Sequence, residues 1–372
     1  MNDPAVIAAS PESRLHEDGW LTGNRIHAPV LPPADPAVRE GIVEIPGEMA
    51  LHHGGRLNGV RLAWRMAGPA AAPVVCALGG ISASRHVCLG EGPRAGSFET
   101  PRRESQRLGW WSEIAGPDRP LDTHRYRVLS FDYLGGSGET TGPRGSQPFP
   151  SISTYDQAEL LLRLLNHLGI KALRAIAGGS YGGMVALAFG ERYPERAGRL
   201  IVLCASDRPH PLATAWRSVQ REIVRLTMES GRAAEGLKLA RALAMSTYRS
   251  SEEFGARFAG PPALDSDRFV FPVERYLLAR GRDYAARHRP DSFLCLSESI
   301  DLHRVDASGI FVPTVAIAVR EDQLVPVADI RGMVARLGAG RFHEISSIYG
   351  HDAFLKESQQ LRGVFAAALE SN

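Results

Sequence analysis

The stretch that most constrains the fold is residues 172–193, ALRAIAGGSYGGMVALAFGERY, where a short apolar run meets a glycine-rich corner and continues as an apolar helix. Within it Gly178, Ser180 and Gly182 are spaced as G-x-S-x-G. A buried strand that reverses sharply into a helix leaves no room for Cβ atoms at the corner, and glycine on either side of the serine removes them. Ser180 is therefore expected at the tip of a strained turn, exposed at the carboxyl end of its strand. The following helix points its N-terminus at the same spot, so the Tyr181 N–H and the helix dipole can stabilise negative charge developing on a bound carbonyl oxygen. That is how a nucleophile for acyl transfer is presented. The five-residue pattern alone also occurs in ordinary strand-to-helix turns, so the rest of the chain has to decide.

The chain of 372 residues carries 43 Lys plus Arg against 41 Asp plus Glu, a balance that argues against nucleic acid or an anionic membrane as partner. Cys76, Cys88, Cys204 and Cys295 show no C-x-x-C or metal-ligand spacing, and three of them lie in apolar runs where a thiol packs as a small core residue. Reduced structural cysteines and no metal site are expected. No apolar stretch approaches the length of a membrane span, and no basic-then-hydrophobic leader opens the chain. A soluble, cytoplasmic protein acting on small molecules is the expectation.

Residues 1–40, rich in Pro, Ala and charge, are expected to form a mobile extension. Strands are expected at 41–45, 60–66, 74–78, 126–131, 173–177 and 200–204, two of the first three as a hairpin, with an amphipathic helix at 154–168 that ends at Gly169. Alternating strands and helices argue for an α/β fold: a mostly parallel sheet covered by helices on both faces, with ligands beyond the carboxyl ends of the strands. After Ala205 the strands stop. Helical patterns at 213–228, 233–248, 251–258, 272–286 and 292–302 read as an inserted helical lid over 207–304. Strands resume at 312–319 and 342–345 and a helix from 352 to 369 closes the chain, so the sheet domain is split between 41–206 and 305–372.

A nucleophilic serine needs a base to take its proton and an acid to orient that base. Asp322 follows the 313–319 strand and His351 follows the 342–345 strand, each on a loop at a carboxyl end. The order Ser180, Asp322, His351 is that of the α/β-hydrolase fold. Glu321 and Asp301 are reserve candidates for the acid. The second amide of the oxyanion hole, beside that of Tyr181, is expected from Leu78 or Gly79 after the 74–78 strand, and Asp132 reads as a turn residue.

Four segments together, GGSYGGM at 178–184, MSTYR at 245–249, LSESIDLH at 296–303 and YGHDAFL at 349–355, resemble the homoserine O-acyltransferases, and the resemblance runs from about residue 41 to the C-terminus. It implies an α/β hydrolase with a helical lid, a homodimer, and acyl transfer from coenzyme A to L-homoserine in methionine biosynthesis, with acyl-CoA as substrate and no cofactor. It also implies that Arg249 holds the acceptor's carboxylate and Asp352 its ammonium, groups whose charges suit those roles. Where many acetyl-transferring relatives carry a Thr-Gly-Asp-Ser-His type of stretch, this chain has GGISASRH at 79–86, which resembles a subgroup associated with succinyl transfer. Arg85 is the expected partner of the succinyl carboxylate. Acetyl-CoA as donor, serine as acceptor, and a plain Ser-His-Asp esterase are the alternatives.

Overall fold

The computed structural model describes residues 38–88, 109–145 and 148–370, so the expected extension lies almost wholly outside the described residues. Eight strands form one sheet: β1 (Arg39–Glu44), β2 (Arg61–Ala67), β3 (Val74–Leu78), β4 (Arg127–Phe131), β5 (Ala175–Gly179), β6 (Leu200–Leu203), β7 (Thr314–Val319) and β8 (Gly340–Ile345), in the order β1-β2-β4-β3-β5-β6-β7-β8. β2 runs antiparallel to both neighbours, and the five pairings from β4–β3 to β7–β8 are parallel. β1 and β2 form the expected hairpin, which starts at Arg39 because Arg39 and Glu40 continue the ladder opposite Met66 and Arg65.

The central strands are short apolar runs because both of their faces are covered. Side-chain alternation divides them cleanly: Cys76, Leu78, Ile176, Val202 and Ala316 point into one apolar layer, Val75, Ala77, Ala175, Ile201 and Val315 into the other. Helices Thr154–His167 and Tyr181–Arg192 cover the first layer, and the C-terminal helix Ser358–Glu370 covers the second with Trp111. Helix Thr154–His167 begins where Ser153 and Asp156 form a capping box, and the chain leaves it through Gly169 at φ 68°. At the far edge, β8 exposes Arg341 and Glu344, charges that discourage pairing with another sheet.

Between β6 and β7 lie helices Pro211–Glu229, Ala233–Tyr248, Ser251–Phe258, Pro272–Ala285 and Pro290–Asp301, with a small core of their own around Val224, Leu237, Tyr284 and Phe293. The insertion is not purely helical. Ala263–Asp265 and Arg268–Val270 form a hairpin, a turn the helical periodicity on either side concealed. Two other elements differ from expectation. β5 is displaced to 175–179, Leu173 making only an isolated bridge to Ala197, and the last helix is interrupted at Glu357 into Ala353–Lys356 and Ser358–Glu370.

His303 anchors the end of the insertion to the sheet domain. Its Nε2–H donates to the Ser206 carbonyl at 3.1 Å, which leaves Nδ1 to accept from the Thr154 hydroxyl at 2.7 Å. Burial, offset only in part by the Ser206 bond and Asp207, pulls this imidazole down to about 4. An unfolded histidine titrates near 6.5, so between those values the unfolded chain binds the extra proton. The stabilisation is complete above about pH 6.5 and is lost as the pH falls through about 4, a change of about 3 kcal/mol at 1.36 kcal/mol per pH unit. Urea denaturation from pH 7 to 4 is expected to show a shallower loss of stability in His303→Gln than in the wild type, and an identical slope would contradict this account.

Candidate active site

The corner after β5 is built by backbone contact. A Cβ on Gly178 would lie 2.2 Å from the Gly182 carbonyl oxygen, and one on Gly182 would lie 2.4 Å from the Leu78 carbonyl, so neither position accepts a side chain. The Gly182 N–H donates to the Gly79 carbonyl at 2.9 Å, and the Tyr133 hydroxyl donates to the same oxygen at 2.7 Å. Helix Tyr181–Arg192 is thereby pinned to the end of β3. Ser180, its N-cap, sits at φ 55° and ψ −123°, a left-handed conformation costing about 1–3 kcal/mol in a non-glycine residue. Its own N–H is held by the Leu203 carbonyl at 2.8 Å. Held from both neighbouring strands, the residue presents its side chain at the carboxyl end of β5.

Beside that side chain stands His351. Ser180 Oγ is 2.8 Å from His351 Nε2, and His351 Nδ1 is 2.7 Å from Asp322 Oδ2. The second carboxylate oxygen of Asp322 accepts the amides of Leu324 at 2.8 Å and Val325 at 3.1 Å, which fixes its plane. Asp322 and His351 are each 5% exposed. Burial disfavours the charged imidazole, but the charge of Asp322 and its hydrogen bond, with a further contribution from Asp352, outweigh it and raise the His351 pKa above 6.5. The three residues expected from the sequence are thus joined in one relay. The reserve acids are engaged elsewhere: Glu321 accepts from Ser346 and Ser347, and Asp301 pairs with Arg217 and Arg221.

The amide of Tyr181 opens the helix and has no intrahelical acceptor. Its phenol is buried, bonded to Ser299 Oγ at 2.7 Å, so the insertion fixes the residue that offers this amide. Leu78 pairs with Gly178 in register and is followed by the Gly79–Gly80 loop, which brings both candidate donors to the same end of the sheet as Ser180.

The three side chains expected to contact substrate are each engaged by other groups of the protein. Arg85 is 8% exposed, and its guanidinium is taken by Asp132, at 2.6 Å, and by Glu139, while its own N–H donates to Asp132 at 2.8 Å. It braces the loop after β3 against the turn after β4 and does not line the cavity over Ser180. Arg249 and Asp352 lie beside the relay but are bonded to each other at 3.0 Å, Arg249 also holding Glu253, and neither lines that cavity. Two other arginines do, Arg217 and Arg241, and Arg241 lies over the rings of Tyr248 and Tyr284 with centroids 5.1 and 4.8 Å away. A signal for Arg241 was present: it precedes Tyr248 by two helical turns, so one face of helix Ala233–Tyr248 carries both.

The cavity is lined by Ser180 and His351 on the sheet side and by Trp216, Arg217, Arg241 and Tyr284 from the insertion. Cys204, in a left-handed conformation after β6, places its thiol within 4.8 Å of the Asp322 carboxylate and the His351 ring. Such a trio has the donor types of a metal site. Here, however, Asp322 and His351 already satisfy each other, and burial pushes the thiol well above its usual range, so the proton relay is the arrangement these groups fit. Asp118, Asp122 and His124 are also clustered, on the surface, where Asp122 accepts the amides of the other two in a turn.

A family model described as the alpha/beta hydrolase fold matches residues 94–358. A homoserine O-succinyltransferase of Xanthomonas campestris pv. campestris is 40% identical over 340 residues, 91% of this chain and 85% of that protein. A homoserine O-acetyltransferase of Thermus thermophilus is 35% identical over 314 residues, 76% of this chain and 80% of that protein. Among solved structures, homoserine O-acetyltransferase from Bacillus anthracis superposes with a TM-score of 0.78 at 20% identity, covering 90% of this chain and 98% of that one. Esterase E22 does so with 0.77 at 20% identity, covering 90% and 100%, so fold similarity at this level spans both chemistries. With a relative this similar over nine-tenths of the present chain, and with the strand order and elbow described above, the chain belongs to the homoserine O-acyltransferase family of the α/β-hydrolase fold.

Proposed function

We propose that the protein moves an acyl group from acyl-CoA to the hydroxyl of L-homoserine, with succinyl-CoA the preferred donor, by way of an acyl-serine on Ser180. The observation that carries this reading is the Ser180–His351–Asp322 relay at the floor of a cavity roofed by an arginine-bearing insertion. His351 takes the Ser180 proton as the oxygen attacks the thioester carbonyl, and the amides of Tyr181 and of Leu78 or Gly79 hold the oxyanion. The thiol of coenzyme A leaves with the proton from His351. The acceptor hydroxyl then gives its proton to the same imidazole and attacks the acyl-serine, returning Ser180. Asp322 keeps Nδ1 protonated so that Nε2 is free to accept in both halves.

The acceptor is an α-amino acid, and its two charges need two partners. Arg241 lines the cavity and takes the carboxylate in this reading, replacing Arg249. Asp352, adjacent to His351 and within electrostatic reach of Arg241, takes the ammonium. Arg249 and Glu253 then serve to hold Asp352 in place.

An esterase would use the same relay with water as acceptor, and thiol release separates the two. Release from succinyl-CoA is expected to depend on L-homoserine, to fall about 10⁴-fold or more in Ser180→Ala, and to show a raised homoserine KM in Arg241→Gln. Because the base must be neutral and its pKa is raised, the acid limb of kcat/KM is expected above pH 6.5. Release that proceeds equally without an amino-acid acceptor would contradict the transferase reading.

Helix Pro211–Glu229 exposes Leu212, Val219 and Leu226 at 49%, 53% and 71%, each seven residues from the next and therefore on one face. This self-complementary stripe supports the homodimer that the family resemblance implies. Sedimentation is expected to give a dimer for the wild type and a monomer for Val219→Glu/Leu226→Glu, and a monomeric wild type would refute it.

A further inference from the structure

Two arginines line the cavity over Ser180, and the acceptor's carboxylate accounts for one of them. The other, Arg217, belongs to a cluster whose charges do not balance. Its Nε and Nη2 donate to Asp301 Oδ1 at 2.9 and 2.6 Å, and Arg221, one turn further along helix Pro211–Glu229, donates Nη1 to Asp301 Oδ2 at 2.5 Å. Arg221 also reaches Ser297, and Thr214 donates to Asp301 at 2.7 Å. The side chains of all three charged residues are only 10–13% exposed. Two guanidinium groups share one carboxylate, so a positive charge remains over.

A surplus charge with little access to water is costly unless a counter-ion meets it. No acidic side chain lines the cavity among the described residues, and Nη1 of Arg217 has no hydrogen-bond partner among them. Arg217 enters that cavity beside Trp216 and Ile300, and it lies near enough to His351 to lower the proton affinity of the imidazole. Arg241, by contrast, stands with Tyr248 and within reach of Asp352, the pair of charges an α-amino acid needs. The two guanidinium groups therefore divide between the two substrates.

We infer that Arg217, braced by Asp301 and Arg221, is the subsite for the far carboxylate of a dicarboxylic acyl group delivered as a thioester. The inference rests on the acyl-transfer reading and assigns it a specificity determinant, in the place where Arg85 was expected. A four-carbon acyl chain ending in carboxylate meets the surplus charge with a fork-shaped donor suited to it. An acetyl group leaves that charge unmatched. Asp301, on the last turn of helix Pro290–Asp301, fixes the guanidinium plane, so that selectivity is set by the packing of two helices of the insertion.

The test removes Arg217 while sparing its brace. In Arg217→Met, Arg221 still neutralises Asp301, so no buried carboxylate is orphaned. The probes are mono-p-nitrophenyl succinate and p-nitrophenyl acetate, which acylate the serine without coenzyme A or an acceptor. The wild type is expected to prefer the succinate ester. At a pH above the acid limb, where His351 is neutral in every variant, kcat/KM for that ester in Arg217→Met should fall about 100-fold while the acetate ester changes by less than about threefold, and Arg217→Lys should recover part of the preference. Melting curves establish that each variant is folded. A wild type that prefers acetate, an equal fall for both esters in a folded variant, or no change in either overturns the assignment. Loss of homoserine-dependent thiol release with the ester preference intact would sink the acceptor reading and leave the subsite standing.

Discussion

The bare-backbone contact between helix Tyr181–Arg192 and the end of β3 sets the geometry on which the rest of the site depends. Gly182 approaches Leu78 so closely that a methyl group has no place, and the Gly182 N–H is bonded to the Gly79 carbonyl. One contact thereby positions three things: the strained serine, the helix N-terminus behind it, and the Gly79–Gly80 loop beside them. Held this way, the groups need no rearrangement when charge develops on the substrate, which is where preorganised dipoles contribute most. The strain at Ser180 is tolerated because the Leu203 carbonyl and the helix hold the residue from either side.

Charge organises the site beyond the elbow. Asp322 and His351 are buried together and raise the basicity of the imidazole, and the amides of Leu324 and Val325 keep the carboxylate in plane. The insertion then contributes side chains that the sheet domain does not supply. Tyr181 bonds to Ser299 in helix Pro290–Asp301, and Arg217 and Arg241 come from two other inserted helices. A hydrolase scaffold becomes suited to transfer when its roof holds a second substrate and displaces water. On this account the insertion acts as lid and binding surface at once.

Much of the fold was legible because it rests on local rules. The apolar runs of β3, β6 and β7 announce strands buried on both faces, the Ser153–Asp156 box announces a helix start, and G-x-S-x-G after an apolar run announces the elbow. The relay followed from position, since Asp322 and His351 each come directly after a strand of the sheet. The substrate contacts were not legible in the same way. Arg85, Arg249 and Arg241 are all arginines near suggestive motifs, and only the packing of distant segments decides which of them finds a carboxylate first. Asp132 and Glu139 take Arg85, and Asp352 takes Arg249, across separations that no periodicity encodes. Arg241 is left to the cavity with aromatic rings for neighbours. The hairpin at 263–270 escaped for a different reason: its strands are three residues each, too short for alternation to register.

The central claim is a covalent intermediate on Ser180, and the most direct test is the intact mass of the protein after brief mixing with succinyl-CoA in the absence of acceptor. The account predicts a species heavier by one succinyl group, absent in Ser180→Ala, that returns to the starting mass when L-homoserine is added and yields the acylated amino acid. Transfer that proceeds at full rate with no such species, or an adduct that persists in Ser180→Ala, would contradict it.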